Sequence, residues 1–519
     1  MSAGFPYLSV LTLAPLAGAV VVAALPRTRP ALAKQVALAV SLATLVLTAV
    51  MWVAFRAGGD RFQFRESYPW IPAWGIRFTF EADGIALVML ALIAVLMPVV
   101  ILASWHDAEN SRRSVPTYFA LLLALQSTMV GVFAAGDIFL FYVFFEVMLV
   151  PMYFLIGSYG GARRQYAAVK FFLYSLVGGL FMLAAVIGLW VVGRNALGHA
   201  TFDWHELTSI SMSTGAQRWL FLGFFVAFAI KAPFFPFHTW LPDAGGAAPA
   251  GAAALLVGVL DKVGTFGILR YCLPLFPQAA KYFAPLGLVL ALVGVVYGAL
   301  LAVGQNDLKR LVSYTSIAHF GFIGIGIFAF TTQAGSGAVL YMVNHGLATG
   351  LLFLVVGMLV TRRGSANVAD FGGAGKVLPL LAGVFLIAGL ASLALPGTSP
   401  FVSEFLVLLG TFAVHKTVAV IATAGIILAA GYVLWMVQRT TQGTLNPALE
   451  RIDAMRRDLT RREVAVVAPL IALILLLGFY PKPVLDVVNP AVQQTFSQIG
   501  QTDPGPSVPN QTSAQGGGK

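Results

Sequence analysis

Glu146 lies in Phe141-Tyr-Val-Phe-Phe-Glu-Val-Met-Leu-Val150, a stretch that is otherwise apolar. Lys231 closes the apolar run 219–230, and Lys262 sits within Val257-Gly-Val-Leu-Asp-Lys-Val-Gly264. Glu404 lies in Phe401-Val-Ser-Glu-Phe405, His319 in Ser316-Ile-Ala-His-Phe-Gly321 and His345 in Val343-Asn-His-Gly346. An ionisable group at the centre of a membrane helix costs about 2.5–3.5 kcal/mol on insertion scales, so a chain carries one where it works. A glutamate side chain is too short to snorkel, and even a purely structural Glu146 requires a basic partner, for which Lys231 is the candidate. Acid, base, base, two imidazoles and acid, strung over six spans and wetted by internal water, could hold and pass protons. Each imidazole reads either as a satisfied core histidine or as a relay group that titrates near neutral pH. A neighbour's charge shifts each group's hold on its proton. Moving Lys231 relative to Glu146 would therefore change how readily Lys262 keeps its proton, which is the logic of a switch.

Several residues stand close to this set. Pro233 and Pro236 remove backbone donors just after Lys231 and break its helix. Broken backbone and a cation at membrane depth are tolerated where protein or water surrounds them. A lysine that snorkels from a helix end is the bland alternative. His238 sits inside that break, as a relay group or an interfacial one. Pro396, in Leu395-Pro-Gly-Thr-Ser-Pro400, breaks a second span ahead of Glu404. Asp261 adjoins Lys262 but points about 100° around the helix, so the two are not facing partners. Asp137 and Asp307 begin their spans and read as helix caps.

The elements that must position these groups are membrane helices. Of 519 residues, 59% are hydrophobic and 10% charged, against about 25% charged in soluble domains. The chain is therefore an all-α, polytopic membrane protein. Its net charge of +11 resides in short loops and is not a nucleic-acid footprint. A single cysteine, Cys272, excludes an internal disulfide framework and a thiolate metal cluster. The first apolar run lacks a basic leader and is followed by Arg27 and Arg29, so it reads as the first span.

Apolar runs of about 20 residues fall near 8–25, 34–55, 82–104, 116–134, 137–157, 167–192, 219–243, 250–273, 283–303, 308–330, 336–360, 379–413, 416–438 and 464–480, which makes fourteen. The seventh and twelfth are the interrupted ones. Interrupted helices at corresponding places in two repeats mark a transport site. They lie five spans apart, an odd number, so repeats 116–273 and 283–438 would be inverted. Residues 1–115 hold the first three helices and an extramembrane hairpin (57–80) on the surface. Residues 439–480 hold a charged, helix-prone connector and the last span, and 481–519 form a polar tail, disordered from Gly500. With alternating loops, nineteen of the 32 basic residues fall on one side and eleven on the other. The richer side should be cytoplasmic, with both termini outside.

Other chemistry has no visible motif. His-Glu-x-x-His is absent, and Gly372-Gly-Ala-Gly-Lys-Val377 lacks the Ser or Thr of a phosphate loop. No nicotinamide, flavin, iron–sulfur or metal site is evident, so redox chemistry would belong to partner chains.

Four segments carry a family resemblance: Phe145-Glu-Val-Met-Leu-Val-Pro151; Lys231-Ala-Pro with His238-Thr-Trp-Leu-Pro-Asp243; Asn306-Asp-Leu-Lys-Arg-Leu-Val-Ser-Tyr-Thr-Ser316; and Leu395-Pro-Gly-Thr-Ser-Pro-Phe-Val-Ser-Glu404. Over spans three to fourteen the chain resembles the antiporter-like subunits of respiratory complex I. Glu404 points to the M-type chains, since the L and N chains and the related cation antiporters usually carry lysine there. The resemblance implies Glu146 paired with Lys231, Lys262 as central relay, His319 and His345 as the link and Glu404 as terminal relay. It implies L and N chains as neighbours in a bacterial plasma membrane, with lipids around them. NADH, FMN, iron–sulfur clusters and quinone would be bound by partner subunits. The chain ends soon after its last span, without the L chain's long lateral helix. A multi-subunit cation/proton antiporter is the alternative reading, and a structural scaffold a third. Two departures stand out: Gly245-Gly-Ala-Ala replaces a His-Val-Glu-type sequence, and Leu260-Asp-Lys262 replaces Leu-Leu-Lys. The acid at 261 either stabilises the lysine's charged form or faces a neighbouring helix.

Overall fold

The computed structural model describes residues 5–109 and 113–505. Among them, twelve helices are long and apolar enough to cross a membrane, from Tyr7–Ala24 to Arg461–Phe479. The two remaining apolar stretches of the sequence are the two that break. One consists of helix Thr214–Lys231, an irregular turn and short helix Leu241–Ala247. The other consists of half-helices Pro379–Ser392 and Ser399–Phe412.

The first break satisfies its own backbone. Pro233 has no N–H to offer Ala229, and Phe234 N–H takes that carbonyl instead, at 2.9 Å. The freed Ile230 carbonyl accepts the indole N–H of Trp240 at 2.9 Å, from the far side of the break. In the second break Ala394 and Gly397 adopt positive φ, +60° and +95°. A Cβ on Gly397 would meet only Phe479, whereas one on Gly478 would strike the Gly397 carbonyl, so the break is seated on the last span.

The loops separate into two sets. On one face lie both ends of the described chain. Leu8 N–H donates to Glu66 at 2.8 Å, and Arg61 donates to Thr495 at 2.7 Å and Gln498 at 2.9 Å. On the other face, Arg310 pairs with Asp243 at 2.6 Å and Arg362 with Glu463 at 2.8 Å. Each face also carries one copy of the same device. Asp137 caps helix Ile138–Val147 through Leu140 N–H, and Asp307 caps Leu308–Phe328 through Arg310 N–H, both at 2.9 Å. Ile138 N–H then bonds the Phe202 carbonyl, and Trp204 N–H the Gly136 carbonyl; Leu308 bonds Ala366 and Val368 bonds Asn306 in the same pattern.

Three segments differ from the sequence reading. The hairpin is a two-stranded antiparallel sheet, β1 Gln63–Ile71 and β2 Ile76–Ala82, turning at Gly75 with φ 71°. It does not simply lie on the surface. Ile76 and Glu81 are fully buried, because β2 runs directly into Asp83, the cap of helix Gly84–Ala103. The connector 440–463 is mostly irregular, with short turns at Pro447–Glu450 and Asp453–Arg456. Its Asp458 carboxylate instead binds Leu380 and Leu381 N–H at the start of a half-helix, an anion at a helix N-terminus. The segment 481–519 begins with an amphipathic helix, Lys482–Gln498, that buries Val484, Val488, Val492 and Phe496. Its polar composition conceals a stripe of helical period. The disorder read from Gly500 falls mostly on residues 506–519, outside the described ones.

Candidate functional site

The central contact is made by residues 83 apart in sequence. Lys262 Nζ lies 2.6 Å from His345 Nδ1 and also donates to the Val257 carbonyl. The ammonium sits over the Phe320 ring, 5.2 Å from its centroid. Two backbone features bring it there. The helix through Lys262 widens into π turns at Leu256–Leu260 and Ile268–Cys272, irregularities that recur at functional sites. Gly258 and Gly346 also let the two helices touch: a Cβ on Gly346 would lie 2.7 Å from the Gly258 carbonyl.

From His345 the polar groups continue. Its Nε2 lies 3.2 Å from Ser316 Oγ, and its ring stands edge-on to His319 with centroids 5.2 Å apart. His319 Nδ1 is buried without a partner, and its ring centroid is 5.9 Å from Tyr341. Tyr341 precedes His345 by one helical turn. Tyr341 and Tyr432 are the groups that act electrically on buried Glu404, and neither hydroxyl has a hydrogen-bond partner of ordinary geometry. Asn344 ties this helix to the second break, donating to the Ser399 carbonyl at 2.7 Å.

On the other side of Lys262 the groups are close but not bonded. Lys231 is 1% exposed, and its Nζ lacks any hydrogen-bond partner, resting 5.0 Å from the Phe145 centroid and 5.6 Å from that of Phe171. Glu146 Oε1 is likewise buried and unpartnered, so the Glu146–Lys231 pair implied by the family is not closed here. Glu146 is half-buried, at the rim of the bundle, where Val147 and Val150 are exposed. Asp261 is fully buried with both carboxylate oxygens unpartnered.

His238 is not brought into this series. Its ring stacks on Phe235 and meets Tyr297 edge-on, with centroids 5.9 and 5.3 Å away. Pro233, Pro236 and Pro396 fall at the breaks, and the Phe235–Pro236 bond is cis. A cavity of about 280 Å³, lined by Arg163, Tyr166, Asp243, Gly246, Asp307 and Arg310, opens on the face rich in Arg and Lys. A Cβ on Gly246 would lie 3.0 Å from the Arg310 side chain, so a longer residue there needs Arg310 to give by a few tenths of an ångström.

Sequence reading missed a buried ion network under the hairpin. Arg270, 3% exposed, pairs with Glu81 at 2.8 Å and Asp83 at 3.2 Å; His205 bonds Glu81 at 2.8 Å. Burial pushes the Glu81 carboxyl up, but the His205 hydrogen bond and the charges of Arg270 and Arg65 outweigh it and hold it below its usual value. Burial, helped by Arg270, lowers the neighbouring Arg61 to about 10 against the pull of Asp83. Burial raises Asp137 to about 6 against its backbone hydrogen bonds. Two acids two residues apart, Glu81 and Asp83, at the start of a span are the available signal.

The family described as NADH:quinone oxidoreductase/Mrp antiporter, TM matches residues 135–429, which include all six of these ionisable residues. The chain belongs to that family. The NADH:quinone oxidoreductase/Mrp antiporter relatives include the NADH-quinone oxidoreductase subunit M of Mycobacterium tuberculosis, 49% identical over 98% of both chains. The same-named subunit of Rhodobacter capsulatus is 40% identical over 93% of this chain and 95% of the relative. A chain of respiratory complex I from Thermus thermophilus superposes with TM-score 0.85 at 30% identity, covering 95% of this chain and all of that one. Among the described residues no group of three or more His, Cys, Asp or Glu is placed to hold a metal.

Proposed function

We propose that the chain is the M-type, proton-translocating membrane subunit of an NADH:quinone oxidoreductase. Protons move along Glu146, Lys231, Lys262, His345, His319 and Glu404. The observation that carries this reading is the Lys262–His345 contact at 2.6 Å, a base–imidazole pair sealed in a membrane bundle. A proton leaving Nζ has an acceptor within one hydrogen bond, and Ser316 holds the far ring nitrogen. Lys231 ends a helix that Pro233 and Pro236 interrupt, and its Nζ has no hydrogen-bond partner to hold it in one place.

Two inverted repeats, 116–273 and 283–438, frame the path. The matched caps at Asp137 and Asp307, on opposite faces, support this, as do the two breaks. Of fourteen crossings, twelve are unbroken. The Arg- and Lys-rich face is cytoplasmic and both termini are outside, in a bacterial plasma membrane. NADH, FMN, iron–sulfur clusters and quinone are bound by partner subunits. L- and N-type chains are the neighbours, and partly exposed Glu146 lies at the rim where one would cover it.

The test uses the assembled complex in vesicles. Glu146→Gln and Lys231→Ala should each abolish NADH-driven proton translocation. Unchanged translocation in both would end the relay reading. A cation/proton antiporter subunit is the second reading, since the family spans both. It would be favoured if the purified complex carried neither flavin nor iron–sulfur protein.

A further inference from the structure

Asp261 is the one acid of the region with neither oxygen bonded and no exposure at all. An unpaired buried carboxylate is costly, and an apolar residue would pack the same space without that cost. Its surroundings explain its presence. Lys262 and Lys231 are the charged groups that act on it. Lys231 is acted on by Glu146 and Asp261, and Lys262 by Asp261 alone.

The backbone sets this arrangement. Asp261 and Gly264 are three residues apart and share a helix face. A Cβ on Gly264 would strike the Phe228 carbonyl and lie 2.6 Å from Ala232 N. That face is therefore pressed against the last turn of helix Thr214–Lys231, where Lys231 sits. Lys262, one residue on, turns away toward His345.

We propose that Asp261 is a positioning residue, a counter-ion shared by Lys231 and Lys262 that makes the protonation of each depend on the other. The inference rests on the relay reading above. When the N–H bond on Lys262 Nζ breaks and one forms on His345 Nδ1, the charge of Asp261 is left to Lys231 alone. Lys231 is then held toward Asp261 and away from Glu146. Reprotonation of Lys262 divides that attraction again and releases Lys231 toward Glu146. The six relay residues by themselves leave Lys231 and Lys262 without this link.

The experiment compares Asp261→Asn, Asp261→Glu and Lys262→Ala in the assembled complex, reading proton translocation against pH and the amount of subunit incorporated. Asp261→Asn should lower translocation about tenfold and move its alkaline limb about one unit toward acid, since the lysines lose a stabilising anion. Asp261→Glu should restore both. Normal rate and profile in Asp261→Asn, with Lys262→Ala inactive, would overturn the inference and leave the relay standing. Normal translocation in Lys262→Ala would overturn the relay itself. Failure of both Asp261 variants to assemble would also overturn the inference, assigning the residue to folding.

Discussion

The Glu146 carboxylate occupies the space that a side chain on Gly179 would fill. A Cβ on Gly179 would overlap Oε1, and one on neighbouring Gly178 would lie 3.2 Å from the Ala227 Cα. Paired glycines in helix Arg164–Leu197 thus open a slot for the acid and let the Lys231 helix approach behind it.

Gly179→Ala is therefore a way to displace Glu146 without removing it. Alanine is a better helix former than glycine, so the helix should persist at an overpacking cost of about 1–3 kcal/mol. The carboxylate must swing toward the bundle rim. Proton translocation should fall about tenfold to a hundredfold, as for other misplaced transfer groups, with the subunit still assembled. Vesicle pumping assays normalised to incorporated subunit would check it, and wild-type pumping would show that the slot does not matter.

The Lys262–His345 contact depends on the Gly258–Gly346 approach. Gly346→Val puts branched carbons against the Gly258 carbonyl and should part the two helices. His345→Ala removes the acceptor but leaves the backbone alone. Both should lose translocation about tenfold or more. Gly346→Val should also lower the melting temperature, by the few degrees that about 1–3 kcal/mol implies. An unchanged melting temperature in Gly346→Val would place the helix contact elsewhere.

Glu146, Lys231, Lys262 and Glu404 stand out because isolated charges in apolar runs are costly, and prolines 233, 236 and 396 announce their breaks chemically. The Lys262–His345 bond was not legible, since it depends on two glycines meeting across helices far apart in sequence. The facing of Asp261 toward Lys231 depends on the contact at Gly264. Arg270 reads in sequence as a cation at the end of a span, because nothing local says that a hairpin two hundred residues earlier buries it. The 482–498 helix is hidden in the sequence because lysine, proline, asparagine and glutamine mask a four-residue apolar stripe.

The network under the hairpin should set the acid stability of that face. The folded Glu81 carboxyl is held below its unfolded value of about 4.3. Its contribution is present above that value and is lost as pH falls through the lower folded one. Asp137 has the opposite sign: raised to about 6 by burial, it should give a gain in stability as pH falls below that. Thermal unfolding in detergent should thus rise slightly below pH 6 and fall at strongly acid pH. Asp137→Asn should remove the rise and Glu81→Gln the fall. Arg270→Ala, which strands two buried acids, should cost about 3–5 kcal/mol. Half-exposed Arg65→Ala should cost about 0–1 kcal/mol, and a reversed order would contradict the assignment of Arg270 as the core of the network.

Tyr341 is the last group that separates the imidazoles from Glu404. Its ring lies 5.9 Å from His319, and its hydroxyl faces the Glu404 carboxyl with no other partner. Tyr341→Phe keeps the ring and the packing but deletes the hydroxyl. Because that hydroxyl has no hydrogen bond of ordinary geometry, its loss should cost stability little, about 1 kcal/mol or less. If protons pass between His319 and Glu404 as proposed, the path loses its intermediate oxygen and translocation should drop about tenfold. Tyr432, on helix Lys416–Thr441, also interacts electrostatically with Glu404, so Tyr432→Phe is the matched control with an equal packing change. A larger loss in Tyr432→Phe than in Tyr341→Phe would mean that protons reach Glu404 from the Tyr432 side and not through the imidazoles.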